Sequence, residues 1–261
     1  MARTPRGLAA RCRGSRNVID WLRGASARKA LDPEIDLGGT RVPIVLKRLR
    51  SARRLTLRLA PDGSEVRITM PAWAEGREAI AFAHSREQWL AQQLAKLPPR
   101  TAPAPGGEVR YRGRMLRLDW AARHPRRPAM IEDALRIGGP ESGLEARLKR
   151  WLEAEALALA EADMRDYCAV AGLDPVPIGL TRAQRRWGSC SDKSRIRINW
   201  RLVQAPDFVR RSVVAHEVAH LVHFDHSPAF HALLARIFEG EIAAADLWLK
   251  EHGRGLYASF G

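Results

Sequence analysis

Two histidines and a glutamate lie within five residues of one another in the last third of the chain, in the segment His216-Glu217-Val218-Ala219-His220. On a helix, residues four apart share a face, so both imidazoles of this His-Glu-x-x-His pattern can reach one metal ion about 2 Å from each nitrogen. Glu217 lies about 100° around the helix, where its carboxylate can take a proton from a metal-bound water instead of binding the metal. The motif therefore predicts a zinc-dependent hydrolase.

The surroundings of the motif support a metal site over an ordinary buried histidine. A helix is predicted over Phe208–Leu221, and the residues around the motif are apolar (Val209, Val213, Val214, Val218 and Leu221). In such a buried helix the three polar side chains would be unsatisfied without a ligand. The usual structural alternative is a single core histidine bonded to a neighbour, which does not explain two histidines and a glutamate in this register.

A catalytic zinc commonly takes three protein ligands and leaves one position for water. The candidates for the third ligand are His223, His226, His231, Glu239 and Glu241. His226 fits best, because six residues after His220 leave room for the helix to end before Ser227-Pro228 begins another one. A glutamate, Glu239 or Glu241, is the alternative, since one class of zincins takes this ligand from a second helix. Asp225 and His231 are candidates for a hydrogen bond to a ligand imidazole, and an ordinary exposed loop position is the alternative for Asp225.

The spacing of His216, His220 and His226 is also that of the metzincins. Metzincins need a glycine at the position of His223 and a methionine turn downstream, but this chain has no methionine after Met164. The sequence therefore shares the three-histidine spacing without supporting membership of that clan.

Several segments together resemble the YgjP-like metallopeptidase domain family of metal-dependent hydrolases, which is related to SprT-like and WLM-type zincin proteases. The resembling segments are RRWGSCS (185–191), RIRINWRL (195–202), VVAHEVAHLVHFDHSPAF (213–230) and, nearer the N-terminus, RRLTLRL, PDG and EVRITMP. The similarity covers about residues 42–252. It implies that His216, His220 and His226 bind one Zn²⁺ and that Glu217 is the catalytic base. One departure is Phe230-His231, where the family usually has an aromatic pair such as Phe-Trp.

The resemblance also implies an antiparallel edge strand above the metal, to which the backbone of a peptide substrate pairs. Arg195–Trp200 is the candidate, because its alternation sends Ile196, Ile198 and Trp200 to the core. An ordinary half-buried strand explains the alternation equally well. The candidate substrate-binding residues are Arg186, Arg197 and Asn199. In the RWGSCS segment we expect Trp187 to pack, Gly188 to allow a tight turn or a close backbone approach, and Cys190 to be a small buried side chain.

The elements that position these groups alternate in blocks along the chain. The predicted order is three strands, a helix over Glu78–Leu97, further strands, a long helix capped by Gly172, short strands, and three helices over Pro206–Phe224, Pro228–Phe238 and Glu241–His252. The strands are predicted at Val42–Leu49, Leu55–Leu59, Val66–Met70, Val109–Trp120, Ala129–Ile137, Ile178–Thr181 and Arg195–Trp200. Such segregated runs indicate an α+β fold that begins with an N-terminal antiparallel β-meander with helices. The family resemblance implies that a zincin-like minimal metalloprotease core follows it. No internal repeat is visible in the sequence.

Three regions follow from this order. Residues 1–35 are a basic segment expected to be disordered, residues 36–140 a β-rich region with one helix, and residues 141–261 the zincin-like catalytic region. The segment RTAPAPGG (100–107) is a predicted linker.

Composition excludes several classes of protein. The 261 residues are 46% hydrophobic and 28% charged, which is typical of a globular protein and not of a disordered one. No run approaches the ~18 apolar residues of a membrane-spanning helix. The three cysteines, Cys12, Cys168 and Cys190, form no CxxC pair. This sparse set favours a reducing compartment, so we expect a cytoplasmic protein.

The net charge of +15 is concentrated near the N-terminus, where residues 1–60 hold 15 Arg and Lys against 4 Asp and Glu. Such a segment can bind nucleic acid or anionic lipid, although a solvated arginine-rich tail explains it too. The sequence therefore favours a zinc metallopeptidase that acts on a peptide or protein. The alternative is a nucleic-acid-associated zincin, or a binding module, recruited by the basic N-terminal segment.

Overall fold

The structure is a computed structural model that describes residues 33–99 and 101–260. The basic N-terminal segment that the nucleic-acid hypothesis invokes lies almost entirely outside the described residues. From Glu34 onward the chain forms one compact unit. Among the described residues, no helix is both long enough and apolar enough to cross a membrane.

The first sheet has four strands, β1 (Glu34–Asp36), β2 (Arg41–Leu49), β3 (Thr56–Leu59) and β4 (Val66–Pro71), in the order β1-β2-β4-β3. The predicted antiparallel meander is wrong, because β2 and β4 are parallel neighbours, with Ile44 opposite Val66. Alternation predicts which face of a strand is buried but not which strand is central. Here β4 is central because Val66, Ile68 and Met70 are all fully buried, and an edge position would leave part of that apolar surface in water.

The second sheet repeats this topology with different strands. Its strands are β5 (Glu108–Tyr111), β6 (Arg114–Trp120), β7 (Ala129–Ile131) and β8 (Ala134–Ile137), in the order β5-β6-β8-β7. In both sheets the successive pairings are antiparallel, parallel and antiparallel. The two sheets therefore form a structural repeat that the sequence does not show. The predicted single strand Ala129–Ile137 is two strands, because Glu132 adopts a positive φ of 52° in a turn.

Two helices, α1 (Gly76–His84) and α2 (Glu87–Ala95), cover the first sheet, where the sequence predicts one helix over Glu78–Leu97. The break lies at Ser85, whose hydroxyl donates to the carbonyl of Phe82 at 2.8 Å. Serine competes for backbone hydrogen bonds in this way and so interrupts a helix. The helical periodicity of the sequence continues across the break, so periodicity alone does not reveal that there are two helices.

The C-terminal half contains the long helix α3 (Leu144–Ala171), which ends at Gly172 with a φ of 73°, as predicted. A third sheet of β9 (Ile178–Thr181), β10 (Gly188–Cys190) and β11 (Ile196–Asn199) follows. The helices α4 (Asp207–Ala219), α5 (Pro228–Ile237) and α6 (Ile242–His252) complete the half. The α+β class is confirmed.

The third sheet has the order β10-β11-β9, so the prediction that Arg195–Trp200 is an edge strand is wrong. β11 is the central strand, antiparallel to β10 and parallel to β9. Its alternating pattern describes a half-buried central strand equally well, so periodicity could not distinguish the two positions. The two edge strands are β9 and β10, and β10 belongs to the RWGSCS segment.

A buried ion pair fixes α4 against α3. The guanidinium of Arg210 donates from Nε to Oδ2 of Asp163 at 2.7 Å, and the two side chains are only 3% and 4% exposed. Removing one partner would leave a buried charge uncompensated, which costs far more than a surface pair. The pair therefore sets the position of the helix that carries the His-Glu-x-x-His motif.

Candidate metal centre

The motif lies at the C-terminal end of α4, which stops two to five residues earlier than the predicted helix ends at Leu221 and Phe224. α4 ends at Ala219 and His220 is the residue that caps it. The N–H of His223 donates to the carbonyl of Ala219 at 3.0 Å, which closes the last turn. Because the helix stops here, the chain can return over the motif and bring His226 to it.

The structure brings the three predicted ligands together. The Nε2 atom of His216 lies 3.1 Å from Nε2 of His220 and 3.3 Å from Nε2 of His226. Ligands about 2.0–2.1 Å from a tetrahedral metal are ~3.3 Å apart. Within the described part of the chain, these three residues form a group of metal-binding type whose ligand atoms all lie within 4.8 Å of one another. The spacing is therefore that of a single-metal site.

A buried phenylalanine forms the floor beneath the three imidazoles. The ring centroid of Phe230 lies 5.0 Å from that of His216, 4.6 Å from that of His220 and 4.8 Å from that of His226. Phe230 is in the first turn of α5, where its N–H donates to the hydroxyl of the capping residue Ser227 at 3.4 Å. The cap and Pro228 thus start α5 where the sequence predicts it.

The hydrogen bond that orients the imidazole of His220 comes from the backbone. Nδ1 of His220 lies 2.9 Å from the carbonyl oxygen of His223. Since a carbonyl only accepts, Nδ1 carries the proton and Nε2 keeps its lone pair for a metal. The candidates for this role were Asp225 and His231. Asp225 instead accepts a hydrogen bond from Ser227, which lowers the pKa of its carboxyl, and the ring centroid of His231 is 6.4 Å from that of His226.

Burial also favours the neutral form of His216. Together with smaller contributions in the same direction from the neighbouring His220 and His226, it lowers the pKa of this imidazole to about 4. An imidazole with this pKa is unprotonated at neutral pH, which is the form that binds metals.

Glu217 points to β10 and does not belong to the cluster of imidazoles. Its side chain is 6% exposed, and burial raises the pKa of its carboxyl to about 7, against the charge of Arg186 and a hydrogen bond from the backbone of Cys190. A Cβ atom at Gly188 would lie 2.3 Å from Oε1 of Glu217. The close backbone approach that the sequence suggests at Gly188 is therefore made by the glutamate of the motif.

The two alternative glutamate ligands lie outside the cluster of imidazoles. Glu239 accepts hydrogen bonds from Nε of Arg211 at 2.5 Å and from the hydroxyl of Tyr167 at 2.8 Å. Glu241 is exposed and occupies the N-cap position of α6 without a side-chain capping hydrogen bond. Neither belongs to the group of atoms that His226 completes.

Of the three candidate substrate-binding residues, only Arg186 lies beside the centre. It is exposed and close enough to lower the pKa of Glu217. Arg197 pairs with Ser189, and both point to the face of the sheet opposite Gly188 and Glu217, because side chains alternate along a strand. Asn199 is fully buried, donates to the carbonyl of Ala183 at 2.8 Å and accepts from the N–H of Arg201 at 3.1 Å.

Two aromatic residues, Trp187 and Phe230, were not among the three candidates for substrate binding. Trp187 packs against Tyr257 with ring centroids 6.0 Å apart, as expected. In the sequence, Phe230 stands out only as part of the Phe230-His231 pair, without a predicted contact to the three imidazoles. No local signal separates an aromatic residue that packs against these imidazoles from an ordinary apolar residue in the first turn of a helix.

Comparison with known protein families identifies the family of the chain. The model of the YgjP-like metallopeptidase domain matches residues 53–252. No curated protein and no solved structure matches the chain significantly.

Proposed function

We propose that the chain, which belongs to the YgjP-like metallopeptidase family, is a zinc-dependent metallopeptidase. The observation that carries the proposal is the cluster of Nε2 atoms of His216, His220 and His226, with separations of 3.1 and 3.3 Å from His216. We assign these residues as the ligands of one Zn²⁺. Imidazole nitrogen suits zinc, and three protein ligands leave a position free for catalysis.

A bound zinc would supply Lewis acidity, which polarises a carbonyl and lowers the pKa of water toward ~7. Glu217 would act as the general base, taking the proton of the attacking water and passing it to the leaving amine. Its carboxylate is suited to this role because it is packed against the backbone at Gly188 and is almost fully removed from solvent. A base held in this way needs little reorganisation when the substrate reacts.

The peptide substrate would bind along β10. This strand is one of the two edges of the third sheet, and Gly188 within it contacts the proposed base. An extended peptide that adds to the edge would place its backbone beside Glu217. Arg186, two residues before Gly188, would then contact substrate carbonyl or carboxylate oxygens. We interpret α4 together with this sheet as a zincin-like core.

The substitution Glu217→Gln tests the proposal directly. It removes the base but keeps the size of the side chain, so the variant should bind one zinc per chain as the wild type does. Hydrolysis of a casein or peptide-library substrate should fall by ~10²–10⁴-fold. Glu241→Gln, at an exposed helix cap, is the matched control and should retain both properties. Loss of zinc in proportion to activity would make Glu217 a structural residue or a ligand, and the proposed role would then be wrong.

A further inference from the structure

A groove of about 440 Å³ lies next to the candidate metal centre. One wall consists of β3, β4 and α2, and the other of residues 184–187 and the end of α6 with the turn that follows it. An adjoining concavity shares Arg67, Arg185 and Arg186 with the groove. The groove reaches the start of β10, because Arg186 and Trp187 directly precede Gly188.

The groove is lined by cations. Seven positively charged side chains line it and the adjoining concavity: Arg58, Arg67, Arg182, Arg185, Arg186, Lys250 and Arg254. No acidic side chain of the described chain lines either of them. Arg67 is paired with Glu65, and Arg182 with Glu153. The other five form no ion pair with any residue that the structure describes. Clustered charges of one sign in a cleft attract a ligand with several negative charges.

Aromatic side chains lie among these cations. The indole of Trp89 lines the groove and is 46% exposed, whereas its neighbour Leu90 is the residue through which α2 packs on the sheet. Trp187 and Tyr257 form the opposite wall. An exposed indole next to several arginines provides a surface on which a planar ring can stack.

We propose that this groove binds single-stranded nucleic acid. Phosphates would contact the arginines and Lys250, and a base would stack on Trp89, the combination typical of single-strand binding sites. An acidic polypeptide would satisfy the charges but would not use the exposed indole. A DNA duplex, with its bases stacked inside, would offer no free base to Trp89. This site consists of folded residues, is separate from the basic N-terminal segment, and does not depend on the proposed peptidase activity.

The test is the fluorescence anisotropy of dye-labelled dT20 titrated with the full chain over a range of KCl concentrations. The double variant Arg58→Glu/Arg254→Glu changes one residue on each wall. It should weaken binding at least tenfold at about 0.1 M KCl, and it should reduce the slope of log affinity against log salt by ~1.4. Trp89→Ala should weaken binding about tenfold with an unchanged slope, and Trp89→Phe should restore most of the affinity.

The matched control is Arg165→Glu/Arg236→Glu, which makes the same change in net charge at exposed residues outside the groove. This control should weaken dT20 binding by less than about threefold. Any binding of dT20 by other basic segments is the same in all variants. If both double variants weakened dT20 binding equally, the binding would depend on the overall charge of the protein and the proposal would be wrong. The proposal would also be wrong if polyglutamate competed as effectively as unlabelled dT20, or if Trp89→Ala had no effect on binding. Either result would favour an acidic polypeptide as the ligand. Circular dichroism and zinc content verify that each variant is folded.

Discussion

The carboxylate of Glu217 lies against the α-carbon of Gly188, so closely that a methyl group there would be 2.3 Å from Oε1 and 2.7 Å from Cγ. The glycine thus joins the edge strand β10 to the helix that carries the motif. Any side chain at this position must displace the proposed base, the strand, or both.

Gly188→Ala should therefore reduce kcat/KM by about 100-fold, as expected when a catalytic group is displaced by about 1 Å. Zinc content should stay near one per chain, because the three atoms nearest to this glycine's Cβ position all belong to Glu217 and not to an imidazole. Gly179→Ala in β9 is the matched control, since no atom lies within 4 Å of its Cβ position. Equal peptidase activity of the two variants would contradict the proposed role of the contact.

The identity of the third ligand can be tested with three alanine substitutions. His226→Ala should weaken zinc binding more than about 100-fold, beyond the effect of losing a residue that only orients a ligand. Glu239→Ala and Glu241→Ala should leave zinc affinity nearly unchanged, measured by competition with a chelating dye. Glu239→Ala should still lower the melting temperature, because Arg211 and Tyr167 lose their shared partner. The reverse ranking of zinc affinities would favour the glutamate-ligand class of zincins.

Phe230 should support zinc affinity without touching the metal. Replacement by leucine keeps an apolar side chain but removes the ring that lies 4.6–5.0 Å from the three imidazoles. We expect zinc affinity to fall about tenfold, the lower end of the effect seen when support for metal ligands is lost. Phe238→Leu, in a residue whose ring packs against Tyr167, should lower stability but not zinc affinity. A similar loss of zinc affinity in both variants would show that general destabilisation is the cause.

Asp207 should make stability depend on pH in the acid range. Burial would raise the pKa of its carboxyl, but hydrogen bonds from Arg112 and Arg210 outweigh burial and hold the pKa below its ordinary value. A carboxyl whose pKa is lowered by folding stabilises the protein above the unfolded pKa of ~3.9, and this contribution disappears as the pH falls through the folded pKa.

The difference in unfolding free energy between wild type and Asp207→Asn should therefore be about 1 kcal/mol from pH 7 to about pH 5, since the pair is partly screened by solvent. It should shrink as the pH falls below about 4. Urea unfolding at several pH values measures it. A difference that is constant over the whole range would mean that the effect comes from packing and not from charge.

Local signals in the sequence predict local structure well. The end of α3 at Gly172 follows from a residue that readily adopts a positive φ. The start of α5 follows from Ser227 and Pro228, and the meeting of His226 with the motif follows from the length of chain between two helices. Each of these depends on a few adjacent residues.

Strand order depends on contacts between distant segments and was predicted poorly. Periodicity shows that β11 has one buried face, yet its central position depends on β9 and β10 pairing with its two edges. Asn199 shows the same limit. Alternation groups it with Arg195 and Arg197, but the chain turns directly after it, and its side chain caps the turn that begins at Trp200.

The helix α3 has a consequence for how the protein can be divided. Its N-terminal half, with Leu148 and Leu152, packs into the cluster of the second sheet, and its C-terminal half, with Tyr167 and Cys168, packs into the cluster around α4. Trp200, which follows the third sheet, belongs to the first of these clusters. A fragment starting near residue 141 would expose the apolar surface that the second sheet covers, so the half that carries the candidate metal centre is not an independently folding module. Both halves should unfold in one cooperative transition, and insertions or fusions should be tolerated at the ends of the unit but not between its halves.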